Sequence, residues 1–187
     1  GPCFMYVGNL EHYQGIDLLL DSFTRALKQR ADLHLVIVGG RPEHVELYRA
    51  RTAELAAGRH VHFTGPMPTG RMAALFAEAD VLVSPRLKGI NTPMKIYSYL
   101  DSGKPVLATD LSTHTQVLTP EIAALAPAEP AAFAAAMIRL AGSEDERNRL
   151  ARAARAFVEH HSTYAVFQNT VKRIYHGVEQ SLHAGGR

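Results

Sequence analysis

Between Val81 and Thr109 the chain gathers residues suited to holding an anion. Arg86, Lys88 and Lys95 supply formal positive charge in close succession. Gly89, Ile90, Asn91 and Thr92 lie between them and offer backbone N–H groups. A loop that leaves a parallel strand and enters a helix points unpaired amides and a helix dipole outward, which suits phosphate. Cationic side chains placed there can stabilise a departing phosphate. Each residue also has a plainer role open to it. The three cations would serve as solvated surface charges, and Asn91 or Thr92 as a helix N-cap before Pro93 at the first helical position. Lys95 and Ser98 lie one turn apart and share a helix face.

The elements that must position these residues alternate strand and helix. Apolar runs predict strands at Cys3–Val7, His34–Val38, Val61–Thr64, Val81–Ser84, Pro105–Thr109 and, more weakly, Ala123–Ala126. Ile16, Leu19, Leu20, Phe23 and Leu27 fall on one face of a helix. Further helices are expected at Val45–Ala57, Met72–Ala79 and Pro93–Ser102, with a helical turn at Thr115–Leu118. Three more follow near 130–141, 144–160 and 164–182. This alternation implies an α/β fold: a doubly wound, Rossmann-like parallel sheet of about six strands, with a helical C-terminal extension. Ligands in such folds bind outside the carboxyl ends of the strands, at the topological switch point. That directs attention to Asn9, Gln14 and Gly15 after the first strand, Arg41 after the second, Pro66 and Met67 after the third, and His114 after the fifth. No repeat or linker divides residues 1–187, so one domain is expected.

Composition narrows the function. A net charge of +2 without any block of like charges argues against nucleic acid as a partner. No apolar stretch is long enough for a transmembrane segment. The single cysteine, Cys3, suits a reducing compartment, so a cytoplasmic location is expected. The dinucleotide fingerprint is missing, since the loop from Gly8 to Gly15 has the wrong spacing, and so is the phosphate-cradling lysine loop, since Gly103-Lys104 runs into Pro105 and a strand. His60 with His62, and His160 with His161, lack a third partner at metal-binding spacing, so no metal is expected.

Several blocks together resemble a known family. They are Tyr6-Val7-Gly8-Asn9-Leu10 with Gln14-Gly15-Ile16-Asp17, Leu35 to Gly40, Val61-His62-Phe63-Thr64-Gly65, and Lys95 to Leu100 with Ser102-Gly103-Lys104-Pro105-Val106. In this order they resemble the C-terminal, donor-binding domain of retaining, family 4 glycosyltransferases of the two-domain GT-B fold. The resemblance covers nearly the whole chain. It implies transfer of a sugar from a UDP-, GDP- or ADP-linked donor to a sugar, lipid or protein acceptor, with retention and without a metal or other cofactor. It also implies that an acceptor-binding domain precedes Cys3, that the last helix packs back toward it, and that the isolated domain is inactive. Peripheral association with the inner membrane face stays open for such a full-length enzyme.

The same resemblance assigns roles and exposes departures. Arg86 and Lys88 would stabilise the diphosphate, with Lys95, Gly89, Ile90, Asn91 and Thr92 around it. Met67 and Arg41 would border the base. Many members carry an arginine and a lysine after the first strand, where this chain has the neutral Asn9 and Gln14. Two family glutamates correspond to Ile90 and Ser98, the second normally holding the ribose. These losses keep two other readings open: a non-catalytic interaction module and a sugar-nucleotide epimerase of the same architecture.

Overall fold

The computed structural model describes residues 1–161 and 164–184. Its six strands are β1 (Cys3–Val7), β2 (His34–Val38), β3 (Val61–Gly65), β4 (Val81–Ser84), β5 (Val106–Thr109) and β6 (Ala124–Ala126). All five pairings are parallel, and the order is β3-β2-β1-β4-β5-β6. The chain therefore starts in the middle, winds outward to one edge, and returns to build the other. The doubly wound α/β arrangement expected from the alternation is the one observed.

Period-two alternation divides the core into two layers. Phe4, Tyr6, Val81, Val83 and Leu107 face a cluster built with α1 (Ile16–Leu27), α2 (Pro42–Glu54) and α6 (Pro130–Gly142). Met5, Leu82, Val106 and Ala108 face a cluster with α3 (Met72–Glu78), α4 (Lys95–Asp101) and α7 (Glu144–His161). Central β4 and β5 are buried at every residue, as strands covered on both faces must be. Edge strand β3 instead alternates, with Val61 buried and His62 exposed.

Several boundaries differ from the sequence reading. Helix α2 starts at Pro42, whose fixed φ suits the first helical turn after the extended Arg41. Helix α4 starts at Lys95, not at Pro93. Met94 is its N-cap, no side chain caps it, and Pro93 only offers its carbonyl to the Ile96 N–H. The capping role open to Asn91 and Thr92 is therefore not the one they play. A short α5 (Ser112–Thr115) forms earlier than expected, after the extended Leu111. The last helix, α8, spans Tyr164–Ala184 and leaves Ile174, Tyr175 and Val178 exposed. Phe167 and Leu182 would continue that stripe, but their side chains lie outside the described residues. No described helix is long and apolar enough to cross a membrane.

Candidate functional site at the topological switch point

The two central strands part early. β1 pairs with β4 only at Phe4↔Val81 and Met5↔Leu82. Beyond them, the Val7 N–H donates to Tyr99 Oη on α4 at 2.8 Å instead of to a strand. Tyr99 is fully buried and stacks edge-on against Phe76, with ring centroids 5.5 Å apart. The tyrosine thus satisfies the strand end and holds a crevice open above it. The crevice is a cavity of about 450 Å³. The loop after β1 contributes Gly8, Asn9 and Gln14; the segment after β3 contributes Thr69, Met72 and Phe76; the loop after β4 contributes Arg86, Pro93, Met94, Lys95 and Ser98.

Lys95 reaches across this crevice to the first loop. Its ammonium lies 4.0 Å from the centroid of the Tyr6 ring and 3.3 Å from Gln14 Oε1, which accepts from it. Gly8 leaves the space for it: a Cβ there would lie 2.8 Å from Lys95 Nζ. Burial is the main cause that holds the Lys95 pKa down to about 7, and the nearby Arg86 charge adds to it. Stacking on Tyr6 returns part of that cost through the negative face of the ring. Tyr6 is anchored in turn, its hydroxyl donating to the Asn9 carbonyl at 2.6 Å. Burial pushes the Tyr6 and Tyr99 phenols up, so both stay neutral donors.

Arg86 shares this lining. Its Nε donates to the Lys88 carbonyl at 2.6 Å, and its guanidinium carbon lies 5.3 Å from the Tyr13 ring centroid. Among the described residues, the cavity lining holds these two cations and no carboxylate. Behind the loop lies fully buried His114. Its Nδ1 faces the Thr109 carbonyl at 3.0 Å and its Nε2 faces Ser84 Oγ at 2.9 Å. A carbonyl only accepts, so the proton belongs on Nδ1 and Nε2 accepts from the Ser84 hydroxyl. Burial is the main cause that lowers the His114 pKa to about 4, against the opposing hydrogen bond to Thr109. Lys95 and Arg86 push it the same way as burial. His114 is therefore a neutral brace between β4 and β5 and does not border the cleft.

The structure gathers some of the residues expected from the sequence and separates others. Asn9, Gln14, Arg86, Lys95 and Ser98 share the cavity. Gly15 is buried beneath it: its φ is +75°, its N–H is taken by the His12 carbonyl, and a Cβ would sit 2.0 Å from the Pro85 carbonyl oxygen. Its part is to let the first and fourth loops touch. Gly89 packs against the Arg86 guanidinium. Lys88 is exposed and outside the lining. Ile90 is 85% exposed, and Asn91 is exposed beside it. The Thr92 hydroxyl is buried with no partner among the described residues. Arg41 is exposed and lies 3.7 Å from Glu11 and 3.9 Å from Glu43, away from the cavity. Met67 packs into the second core layer.

Sequence reasoning missed Tyr6, Tyr13, Thr69, Tyr99 and Gln116. The tyrosines carried no site signal: Tyr6 read as part of the first strand and Tyr99 as part of the helical Lys95–Leu100 block, neither with a role of its own. Among the described residues no group of His, Cys, Asp and Glu is arranged to hold a metal ion.

Comparison with known proteins agrees with this fold. Phosphatidyl-myo-inositol mannosyltransferase of Mycobacterium leprae is 28% identical over 184 residues, covering 97% of this chain and 48% of that protein. The D-rhamnosyltransferase WbpZ of Pseudomonas aeruginosa is 31% identical over 138 residues, covering 72% of this chain and 34% of its own length. The chain thus spans about half the length, or less, of these relatives. Among solved structures, the Anabaena protein HepE in complex with UDP superposes with a TM-score of 0.81 at 16% identity, over 92% of this chain and 48% of that one. A C-terminal domain of a glycosyl transferase group 1 family protein from Francisella tularensis gives a TM-score of 0.74 at 15% identity, with 84% of each chain covered. Residues 1–143 match the family described as Glycosyl transferases group 1, and the chain belongs to that family.

Proposed function

We propose that this chain is the donor-binding half of a GT-B glycosyltransferase that transfers a sugar from a nucleotide diphosphate with retention and without a metal. The observation that carries the reading is the pair of cations, Lys95 and Arg86, facing one crevice with no carboxylate in its lining among the described residues. An uncompensated positive site at the carboxyl ends of parallel strands matches a diphosphate in both place and charge. In this reading Lys95 delivers from α4 the charge that Asn9 and Gln14 do not supply. Gln14 holds its ammonium, and Tyr6 supports it. Arg86 neutralises the second phosphoryl group as it departs, while Ser98 and Thr69, on the same lining, offer hydroxyls to the ribose.

The acceptor-binding half supplies the acceptor site, so this chain by itself binds donor and does not transfer. The exposed Ile174, Tyr175 and Val178 on α8 are the surface that packs back toward that half. UDP-, GDP- and ADP-linked donors all fit the diphosphate argument, which involves no base contact. Calorimetric titration with UDP, GDP and ADP, and with their sugars, tests it. Binding of one nucleotide series in the micromolar to millimolar range is expected, and no heat from any of them with the fold intact rejects the proposal. A second reading, an interaction module that keeps the fold, draws on the neutral residues at Asn9, Gln14, Ile90 and Ser98. It requires that Arg86→Ala leave nucleotide affinity unchanged, whereas the donor reading requires a clear loss.

A further inference from the structure

We infer that Thr113 and Gln116 are positioning residues, which turn the amides of Asn91 and Thr92 toward the cleft for the donor diphosphate. The inference rests on the donor-binding reading above. Three side chains, one from the last residue of β5 and two from the stretch that follows it, grip three carbonyls of the loop after β4. Thr109 Oγ1 donates to the Arg86 carbonyl at 2.6 Å, Gln116 Nε2 to the Ile90 carbonyl at 2.7 Å, and Thr113 Oγ1 to the Asn91 carbonyl at 2.9 Å.

Peptide geometry gives these grips a consequence. In a trans peptide the N–H points opposite to the C=O, and the described residues include no cis peptide. The first grip shows the effect directly. With the Arg86 carbonyl held by Thr109, the Leu87 N–H points the other way and donates to the Tyr13 carbonyl in the loop after β1, at 2.8 Å. The other two grips act on the peptides Ile90–Asn91 and Asn91–Thr92. The N–H groups of Asn91 and Thr92 therefore face away from α5, and neither has a partner among the described residues. Two adjacent amides turned the same way form a donor pair of the kind that oxyanions accept. Burial fixes one of the grips, since Thr113 is 1% exposed. His114, between the two gripping side chains in sequence, is bonded to both β4 and β5 and anchors the whole stretch. The amides are thus pre-set, so a ligand would not have to order them.

The test uses the intact chain labelled with ¹⁵N and titrated with UDP, GDP and ADP. The amide signals of Asn91 and Thr92 should shift with the nucleotide that binds. Thr113→Val, which keeps shape and loses the hydroxyl, should weaken affinity by about five-fold, and Gln116→Ala by a similar factor. Thr113→Ser, which keeps the hydroxyl, should restore wild-type affinity. Melting temperature should stay at the wild-type value in Gln116→Ala, since that side chain is exposed; this variant decides the matter if Thr113→Val fails to fold. Wild-type affinity in a folded Thr113→Val or Gln116→Ala overturns the inference and leaves the donor reading intact. Equal loss in Thr113→Ser and Thr113→Val overturns it too, because the hydroxyl would then not matter. A wild-type chain that answers no nucleotide rejects the donor reading and this inference together.

Discussion

Two cavities of nearly equal size lie near the end of β1, and only one has the character of a ligand site. The crevice at the switch point holds about 450 Å³, and a second cavity between α1 and α2 holds about 440 Å³. The second is lined by Glu11, Asp17, Tyr48, Arg51 and Glu54. Its arginine is already neutralised: Arg51 lies 3.2 Å from Asp17 and 2.9 Å from Asp21. In the switch-point crevice, the partners of Lys95 and Arg86 among the described residues are neutral: Gln14, a backbone carbonyl and two tyrosine rings. Volume therefore does not mark the site. Positive charge held without a counter-ion does, because the fold accepts a desolvation cost there that it avoids in the other cavity.

The sharpest way to break this comparison is to remove one cation from each cavity. Lys95→Met should weaken nucleotide affinity by about 30-fold, the scale of one charge-assisted contact to phosphate. Arg51→Met should leave it unchanged. Lys95→Met should not lower stability at neutral pH. The folded pKa, about 7, lies below the unfolded one, so the fold favours the neutral form and holds the ammonium at a cost that grows as pH falls toward 7. Equal losses in the two variants, read by calorimetry, would erase the distinction drawn here.

The brace behind the crevice gives the next effect, on stability. His114 has a folded pKa of about 4, well below its unfolded value. The neutral ring's contribution is complete above about pH 6.5 and is lost as pH falls through about 4, a change of roughly 3 kcal/mol. Urea unfolding at pH 7 and at pH 4 should show that loss, and His114→Gln should flatten it. A pH dependence that is the same in both proteins would remove His114 as its source.

A third measurement separates charge from shape. A nucleotide sugar carries no proton on its diphosphate near neutrality, so the pH dependence of its affinity reports the protein. Lys95 faces Tyr6 from β1, Gln14 from the first loop and Arg86 from the fourth, and its charge also reaches His114. Tyr6 and His114 stay neutral through this range, and Gln14 does not titrate, so among these facing groups Lys95 is the one that changes charge. Affinity should be flat below about pH 7 and fall by about ten-fold toward pH 9 as the ammonium loses its proton. In Lys95→Met the profile should be flat. A fall that persists in the variant would assign the titration to another group.

These contrasts bear on what the sequence could disclose. The sheet was legible because its strands are short apolar runs and its helices carry a clear period, from Ile16 to Leu27 for example. The loop positions were legible because a doubly wound sheet sends its ligand loops to one side. The sequence left unresolved which side chain of a loop turns inward. Lys88 and Lys95 look alike on paper. Lys95 turns in because helix α4 aims it at Tyr6 through the gap left by Gly8, whereas Lys88 sits on the outer side of its loop. Tyr99 and Val7 are bonded across 92 positions, and Gln116 and Ile90 across 26, so neither pairing has a local signature. The N-cap role failed for a related reason: the Asn91 and Ile90 carbonyls are engaged by Thr113 of α5 and by Gln116 just after it, which local propensity does not see.

The smallest expected effect concerns Arg41, which the family resemblance would have placed at the base of the nucleotide. β2 lies one strand away from the crevice, on the far side of β1. Arg41 points its guanidinium toward Glu11 and Glu43, and Glu11 belongs to the lining of the compensated cavity. It is thus the same kind of residue as Arg51, a cation with its counter-charge already in reach, although its pairs are longer and more exposed. Exposed pairs of this length contribute little. Arg41→Ala should therefore change nucleotide affinity by less than about two-fold, within 0.4 kcal/mol or so. A base stacked on the guanidinium would instead cost about ten-fold on its removal, and more for a purine than for a pyrimidine. Titrating the variant with UDP and ADP in parallel distinguishes the two outcomes. A purine-selective loss would extend the binding site across β1 and make charge compensation an incomplete marker of where ligands bind in this fold.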